Sequence, residues 1–305
     1  MTIGNPLLRL VLLASVLSTA PGTALASQDA TTPPPPAPDA EATERIDRVA
    51  AIGASASAGF GVFFRNAGEP EAAPRGISLA KLYRAASDDR IVVVDLGTAA
   101  FFSNPSGIGT MVVDRTIRAK PDLTLAIDYL FWFTYGTVGV ESRRIRTDED
   151  RMALLEVGLA QLDRLDGPLL VGDIPDMSSA AGRVMMQSQV APEEVRLRAN
   201  RRIREWASSR PNARVFPLAE LIERLRSGNA FEIGSHAWTA EEAAGLILGD
   251  RLHPSLDGLV ALVIAIDDLL ANDAELADVR PEIETDRVRL KHRLTGETTG
   301  PDTAD

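Results

Sequence analysis

From about Arg45 to Leu270 the chain alternates short apolar runs with longer stretches whose apolar residues recur every three or four positions. The runs are Arg48–Ile52, Arg90–Leu96, Leu123–Ile127, Pro168–Gly172 and Ala213–Leu218. The second of them is almost wholly β-branched, which fits a strand covered on both faces. The longer stretches, Ser78–Ser87, Ile108–Ala119, Glu149–Leu165, Pro192–Arg210 and Leu259–Leu270, have helical spacing. Strand and helix taking turns in this way predict one α/β domain with a central parallel sheet between two layers of helices. In such sheets the working residues gather beyond the carboxyl ends of the strands. Small or polar residues stand there after the first four runs: Gly53-Ala54-Ser55, Asp95-Leu96-Gly97, Asp128-Tyr129 and Gly172-Asp173.

The flanks do not follow this pattern. Arg9 precedes an apolar run, Leu10–Leu17, and Ala24-Leu25-Ala26 precedes Ser27. A basic start, a short apolar centre and a small-x-small site predict a cleaved secretory signal over residues 1–26. The run is short for a membrane span, and an uncleaved anchor helix is the competing reading. Residues 27–45, with Pro33–Pro36, read as an extended linker. The folded domain is expected over 46–280, and 281–305 as a polar tail, a fraying helix followed by disorder. A secreted or periplasmic protein without stable membrane insertion follows from this reading.

Composition narrows the partners. The 305 residues carry a net charge of −11, which disfavours nucleic acid and anionic membranes. There is no cysteine, so disulfides, thiolate metal sites and cysteine nucleophiles are excluded. Neither spaced histidines nor clustered carboxylates suggest a metal, and no cofactor is expected.

Chemistry concentrates in Asp250-Arg251-Leu252-His253-Pro254-Ser255. A carboxylate three residues before a histidine can hold the imidazole in one tautomer, leaving its other nitrogen to take a proton from a serine. Of the other two histidines, His236 reads as a surface residue of a loop or hairpin, and His292 as a residue of the charged tail. The stretch Gly53-Ala54-Ser55-Ala56-Ser57-Ala58-Gly59-Phe60-Gly61 follows the first strand, and its small residues permit a sharp turn that exposes a side chain and amides. A serine that starts a helix there would have its own N–H available for a developing anion. The stretch lacks the second glycine of a dinucleotide fingerprint and does not match the Gly-x-Ser-x-Gly elbow. Ser57 reads as a helix-start residue.

A serine after the first strand, with Asp-x-x-His-Pro just before the last apolar helix, resembles the SGNH (GDSL-type) hydrolase family over roughly residues 46–272. The resemblance implies a flavodoxin-like three-layer α/β/α sandwich and cleavage of ester bonds in lipids, acetylated sugars or small acyl compounds. It implies Ser55 as nucleophile, His253 as base and then acid, and Asp250 as its orienter. The amides of Ser55 and of Gly97 or Ala100 would hold the oxyanion. Two departures stand out. The family's Gly-Asp-Ser reads Gly53-Ala54-Ser55, and its Gly-x-Asn-Asp motif has no counterpart in Asp128–Gly136, which contains no asparagine. Loss of one such oxyanion donor typically costs about 100- to 1000-fold in rate. Asp128, Tyr129, Thr134 and Tyr135 are the polar candidates to replace it or to meet substrate. Asp128 could equally cap the next helix. Phe131 and Trp132 are candidates for lining the site, or for core packing. A lid-like segment lies near 177–190. The alternative to a small-molecule, glycan or lipid esterase is a cell-envelope protein of the same fold that binds a ligand with little catalysis.

Overall fold

Five of the apolar runs become strands: β1 (Arg48–Gly53), β4 (Val92–Gly97), β5 (Leu123–Ala126), β6 (Leu169–Gly172) and β7 (Ala213–Phe216). The computed structural model describes residues 45–64, 75–139, 144–277 and 280–295. The expected signal and all but the last residue of the expected linker lie outside them. The strands form one sheet in the order β4-β1-β5-β6-β7. All four pairings are parallel, with Gly53 opposite Gly97 and Gly172 opposite Phe216. Two short antiparallel pairs flank the sheet: β2 (Phe63–Phe64) with β3 (Arg75–Gly76), and β8 (Phe231–Ile233) with β9 (His236–Trp238).

The helices are α1 (Leu79–Ala86), α2 (Pro105–Ala119), α3 (Phe131–Tyr135), α4 (Asp148–Leu162), α5 (Glu193–Ser208), α6 (Leu218–Ser227), α7 (Ala240–Ala243), α8 (Leu256–Asn272) and α9 (Arg287–Thr295). Local chemistry sets several starts. Ser78 caps α1, and Asn104 caps α2 with proline in its first turn. Thr147 and Asp150 form a capping box on α4. On one side of the sheet α2, α4 and α5 pack in succession; on the other α1 touches α8 and α9. The result is a three-layer α/β/α sandwich. Helix α8 is apolar on nearly every face, with Leu259–Ile264 all buried, as a helix enclosed by sheet and neighbours must be. Among the described residues no helix is long and apolar enough to cross a membrane.

From Pro281 onward, where a fraying helix followed by disorder is expected, residues 281–295 are docked on the domain. Ile283 bridges to Ser87, Glu284 N donates to Ala86 O, and α9 lies against α1. Leu290, one apolar side chain among charged neighbours, is completely buried. Burial of that one side chain, together with carbonyls of α1 that accept from Arg293, holds a segment that is polar overall. Leu290→Ala is therefore expected to destabilise the domain by about 3 kcal/mol, read as a lowered urea midpoint. An unchanged midpoint would mean that α9 contributes nothing to the fold.

Candidate functional site

Ser55 leaves the sheet at the carboxyl end of β1, between β4 and β5. This is where the direction of the crossovers reverses and a crevice opens. The expected helix does not start here. Residues 54–61 form a tight series of turns, closed by Ala58 N to Ala54 O (2.9 Å) and Phe60 N to Ser55 O (2.9 Å). The next helix begins only at Leu79. Small residues allow this compaction. Gly59, at φ 69°, passes so close to Ile77 that a Cβ would stand 1.7 Å from its carbonyl oxygen.

The turn is held from below by Asp128. Its Oδ1 accepts from Ala54 N (2.9 Å) and Ser57 Oγ (2.6 Å), and its Oδ2 from Ala56 N (2.8 Å) and Ser57 N (3.2 Å). Asp128 is buried, and burial pushes its carboxyl above the ordinary value against the pull of these donors. Gly53 makes room for it: a Cβ there would lie 2.0 Å from Asp128 Oδ1. Asp128 does not cap α3, whose N-cap Leu130 has no side-chain bond. Ser57 is not a helix start; its hydroxyl is committed to Asp128. Of the amides from 54 to 57, three are taken by Asp128, and that of Ser55 makes no hydrogen bond among the described residues.

Two other strand-end acids also brace loops. Asp95 accepts from Ser78 Oγ (2.6 Å), and Asp173 from Ala219 N (2.7 Å) and Arg204 (2.9 Å). Gly97 and Ala100, the expected second oxyanion donors, each make one long bond, to Asp95 Oδ1 and Thr98 Oγ1, both at 3.3 Å. Gly97 lies directly against the turn; a Cβ would be 2.9 Å from Ala58 N.

Asp250 and His253 sit on a loop that closes on itself just before α8. Ile247 bridges to Pro254, Leu248 N donates to His253 O (2.8 Å), and Ser255 N to Leu246 O (2.8 Å). Arg251 adopts a left-handed φ of 63°, sparsely populated for a side chain of this size. That bend lets Asp250 Oδ1 reach back to the amides of Leu252 (2.9 Å) and His253 (3.0 Å). Asp250 Oδ2 is 2.7 Å from His253 Nδ1. Burial alone would push the Asp250 carboxyl up, but the His253 ring and the two amides outweigh it and hold it below its ordinary value. An ionised carboxylate only accepts, so Nδ1 carries the proton and Nε2 is left as the basic nitrogen. Nε2 is buried and has no hydrogen-bond partner among the described residues.

Phe60 links the two halves. Its ring centroid lies 4.7 Å from that of His253, and next to it a Cβ on Gly61 would meet Leu248 at 2.9 Å. The structure thus sets the Ser55 turn against the His253 loop. It does not join Ser55 Oγ to Nε2; the hydroxyl makes no hydrogen bond among the described residues. Phe60 was not anticipated from the sequence, although its place between two glycines just after the serine turn was a signal for it.

The aromatic candidates divide. Tyr129 faces the core, not the site: it is fully buried, its hydroxyl donates to Gln161 Oε1 (2.7 Å), and it packs on Phe101 and Phe133. Tyr135 likewise donates to Pro175 O (2.6 Å). Phe131 and Trp132 pack on each other, and Trp132 meets half-exposed Phe102 at 6.0 Å. The Trp132 indole N–H and the Thr134 hydroxyl are buried without partners among the described residues. The segment near 177–190 is pinned by Arg151, which donates to Ser188 O (2.8 Å) and Gln189 O (3.3 Å) as well as to Thr134 O (2.9 Å). His236 lies in the β8–β9 hairpin. Two surface hollows, of about 1130 and 510 Å3, hold none of Ser55, Asp250 or His253.

The chain matches no family model and no curated protein. Solved structures similar in backbone course include the following three. Axe2, an acetylxylan esterase from Geobacillus stearothermophilus, is 13% identical, with 76% of this chain and 97% of that one covered and a TM-score of 0.42. LAE5, an α/β hydrolase from the metagenome of Lake Arreo in Spain, is 15% identical, with 75% and 95% covered and a TM-score of 0.43. BT4096, a gut microbial diltiazem-metabolizing enzyme, is 11% identical, with 73% of this chain covered and a TM-score of 0.43. This chain spans 46% of BT4096.

Proposed function

We propose that this protein is an exported SGNH-type serine hydrolase that cleaves carboxylic esters. The observation that carries the reading is the Asp250–His253 pair, with Nδ1 held at 2.7 Å and Nε2, beside the serine turn, left without a partner among the described residues. Ser55 Oγ attacks the ester carbonyl while His253 Nε2 takes its proton. His253 then gives that proton to the leaving alkoxide, and a water repeats the sequence to free the acid. Asp250 keeps the imidazole in the productive tautomer. The Ser55 amide, the one Asp128 does not claim, meets the oxyanion. Attack requires Ser55 Oγ and Nε2 to close to hydrogen-bond distance; free-enzyme distances of this kind are often loose.

A fluorophosphonate probe tests the nucleophile. The purified protein is expected to be labelled once, and Ser55→Ala not at all. Labelling that persists in the variant would sink the assignment. A second reading, a ligand-binding protein with little turnover, is favoured by the missing asparagine and by the open Ser55–His253 contact. It predicts no labelling and no turnover of any ester by a folded protein.

A further inference from the structure

We infer that Phe60 is the residue that selects the alcohol portion of the ester, and that the site takes alcohols with an apolar chain in preference to sugar hydroxyls. This rests on the Ser55–His253 reading. In that reading the leaving oxygen receives its proton from His253 Nε2. The first carbons of the alcohol must then lie within van der Waals reach of whatever covers the imidazole. Phe60 covers it, with ring centroids 4.7 Å apart and the planes tilted by 40°.

The other side of the phenyl ring faces outward, for the side chain is 51% exposed although His253 is only 4% exposed. The backbone supports this placement. Phe60 stands between Gly59 and Gly61, at φ 69° and 77°, and its amide is tied to Ser55 O. The two left-handed glycines that flank it lift the ring out of the turn, and the tie keeps it in register with the nucleophile. Phe63, 66% exposed, extends the same short segment with a second apolar side chain. An alkyl chain gains from such a surface. A sugar ring would exchange its water for an apolar face there.

The test compares ethyl and hexyl acetate, which share an acyl group and have leaving alcohols of similar basicity, in a pH-stat with the wild type, Phe60→Ala and Phe60→Leu. The wild type is expected to favour hexyl acetate in kcat/KM, and Phe60→Ala to lower the hexyl-to-ethyl ratio about tenfold, with Phe60→Leu between them. An unchanged ratio in active Phe60→Ala, or a wild type that prefers acetylated xylose to hexyl acetate, overturns the proposal and leaves the hydrolase reading standing. A folded wild type that neither turns over an ester nor reacts with fluorophosphonate overturns both. A separate measurement does not depend on turnover: carbethoxylation of His253 by diethyl pyrocarbonate, mapped by peptide mass, should be faster in Phe60→Ala. An equal rate would show that the ring does not cover the imidazole and would overturn the proposal on its own.

Discussion

Asp250→Asn is expected to lower kcat about ten-thousand-fold with little change in the fold. An asparagine retains Oδ1, and with it the bonds from the Leu252 and His253 amides that shape the loop. What changes is the group facing Nδ1. An amide N–H2 in place of Oδ2 donates, so Nδ1 must accept, and the imidazole proton moves to Nε2. The nitrogen beside the serine turn then has no lone pair with which to take a proton. Fluorophosphonate labelling and ester turnover should fall together while the circular dichroism spectrum and the urea midpoint stay close to wild type. Labelling at the wild-type rate would show that Asp250 does not orient His253. The pH dependence has a definite sign. The Asp250 carboxyl is held below its ordinary value, so its contribution to stability is complete above about pH 3.9 and is lost as pH falls through the lower, folded-state value. A loss of activity on mild acidification therefore has its origin in another group.

The largest effect on stability is expected at Asp128. Its alanine variant leaves three amides, two of them buried, and one buried hydroxyl without an acceptor, at a cost of about 3–5 kcal/mol. Asp128→Asn is the finer instrument. Its oxygen can serve the Ala56 and Ser57 amides while its N–H2 donates to Ser57 Oγ, but the N–H2 then faces the Ala54 amide, donor against donor. About 1–3 kcal/mol should be lost, and the Ser55 turn should loosen. Fluorophosphonate labelling should slow in Asp128→Asn at a temperature where the protein is still fully folded, and Ser57→Ala, which removes one of the four bonds, should slow it less. An Asp128→Asn variant with wild-type melting and wild-type labelling would exclude Asp128 as a positioning residue. The direction of its titration is opposite to that of Asp250: burial raises its carboxyl on folding, so it costs stability as pH climbs from its unfolded to its folded value.

Local chemistry made much of this legible in the sequence. β1, β5 and β6 announce themselves because a strand buried on both faces needs an unbroken apolar run. The β-branched run of β4 suggested the same cover, but β4 is an edge strand that alternates exposed and buried positions, and β7 at the other edge is also only partly covered. Asp250 with His253 is legible because their contact spans three residues. Asp128 was visible as an acid at a strand end. That its four partners come from the turn after β1 was not visible, because that depends on β5 pairing beside β1. Tyr129 was assigned to the site because alternation at a strand end does not say which way the next residue turns; its side chain enters the core between α2 and α4, where Gln161 waits for it. The polar tail suggested a helix but concealed its docking, because one buried leucine outweighs a charged neighbourhood only when α1 offers it a place. Phe60 acquires meaning only once His253, from the far end of the chain, lies beneath it.

The self-closing loop from Leu246 to Ser255 implies that the acid–base pair and the nucleophile are assembled at very different entropic cost. Asp250 and His253 meet by closing a loop of a few residues, whereas Ser55 meets them only after almost the whole chain is ordered, and closure entropy rises with loop length. On heating, the pair should outlast its alignment with the serine. Reactivity would then decline before the melting transition, with the Asp250–His253 contact still formed.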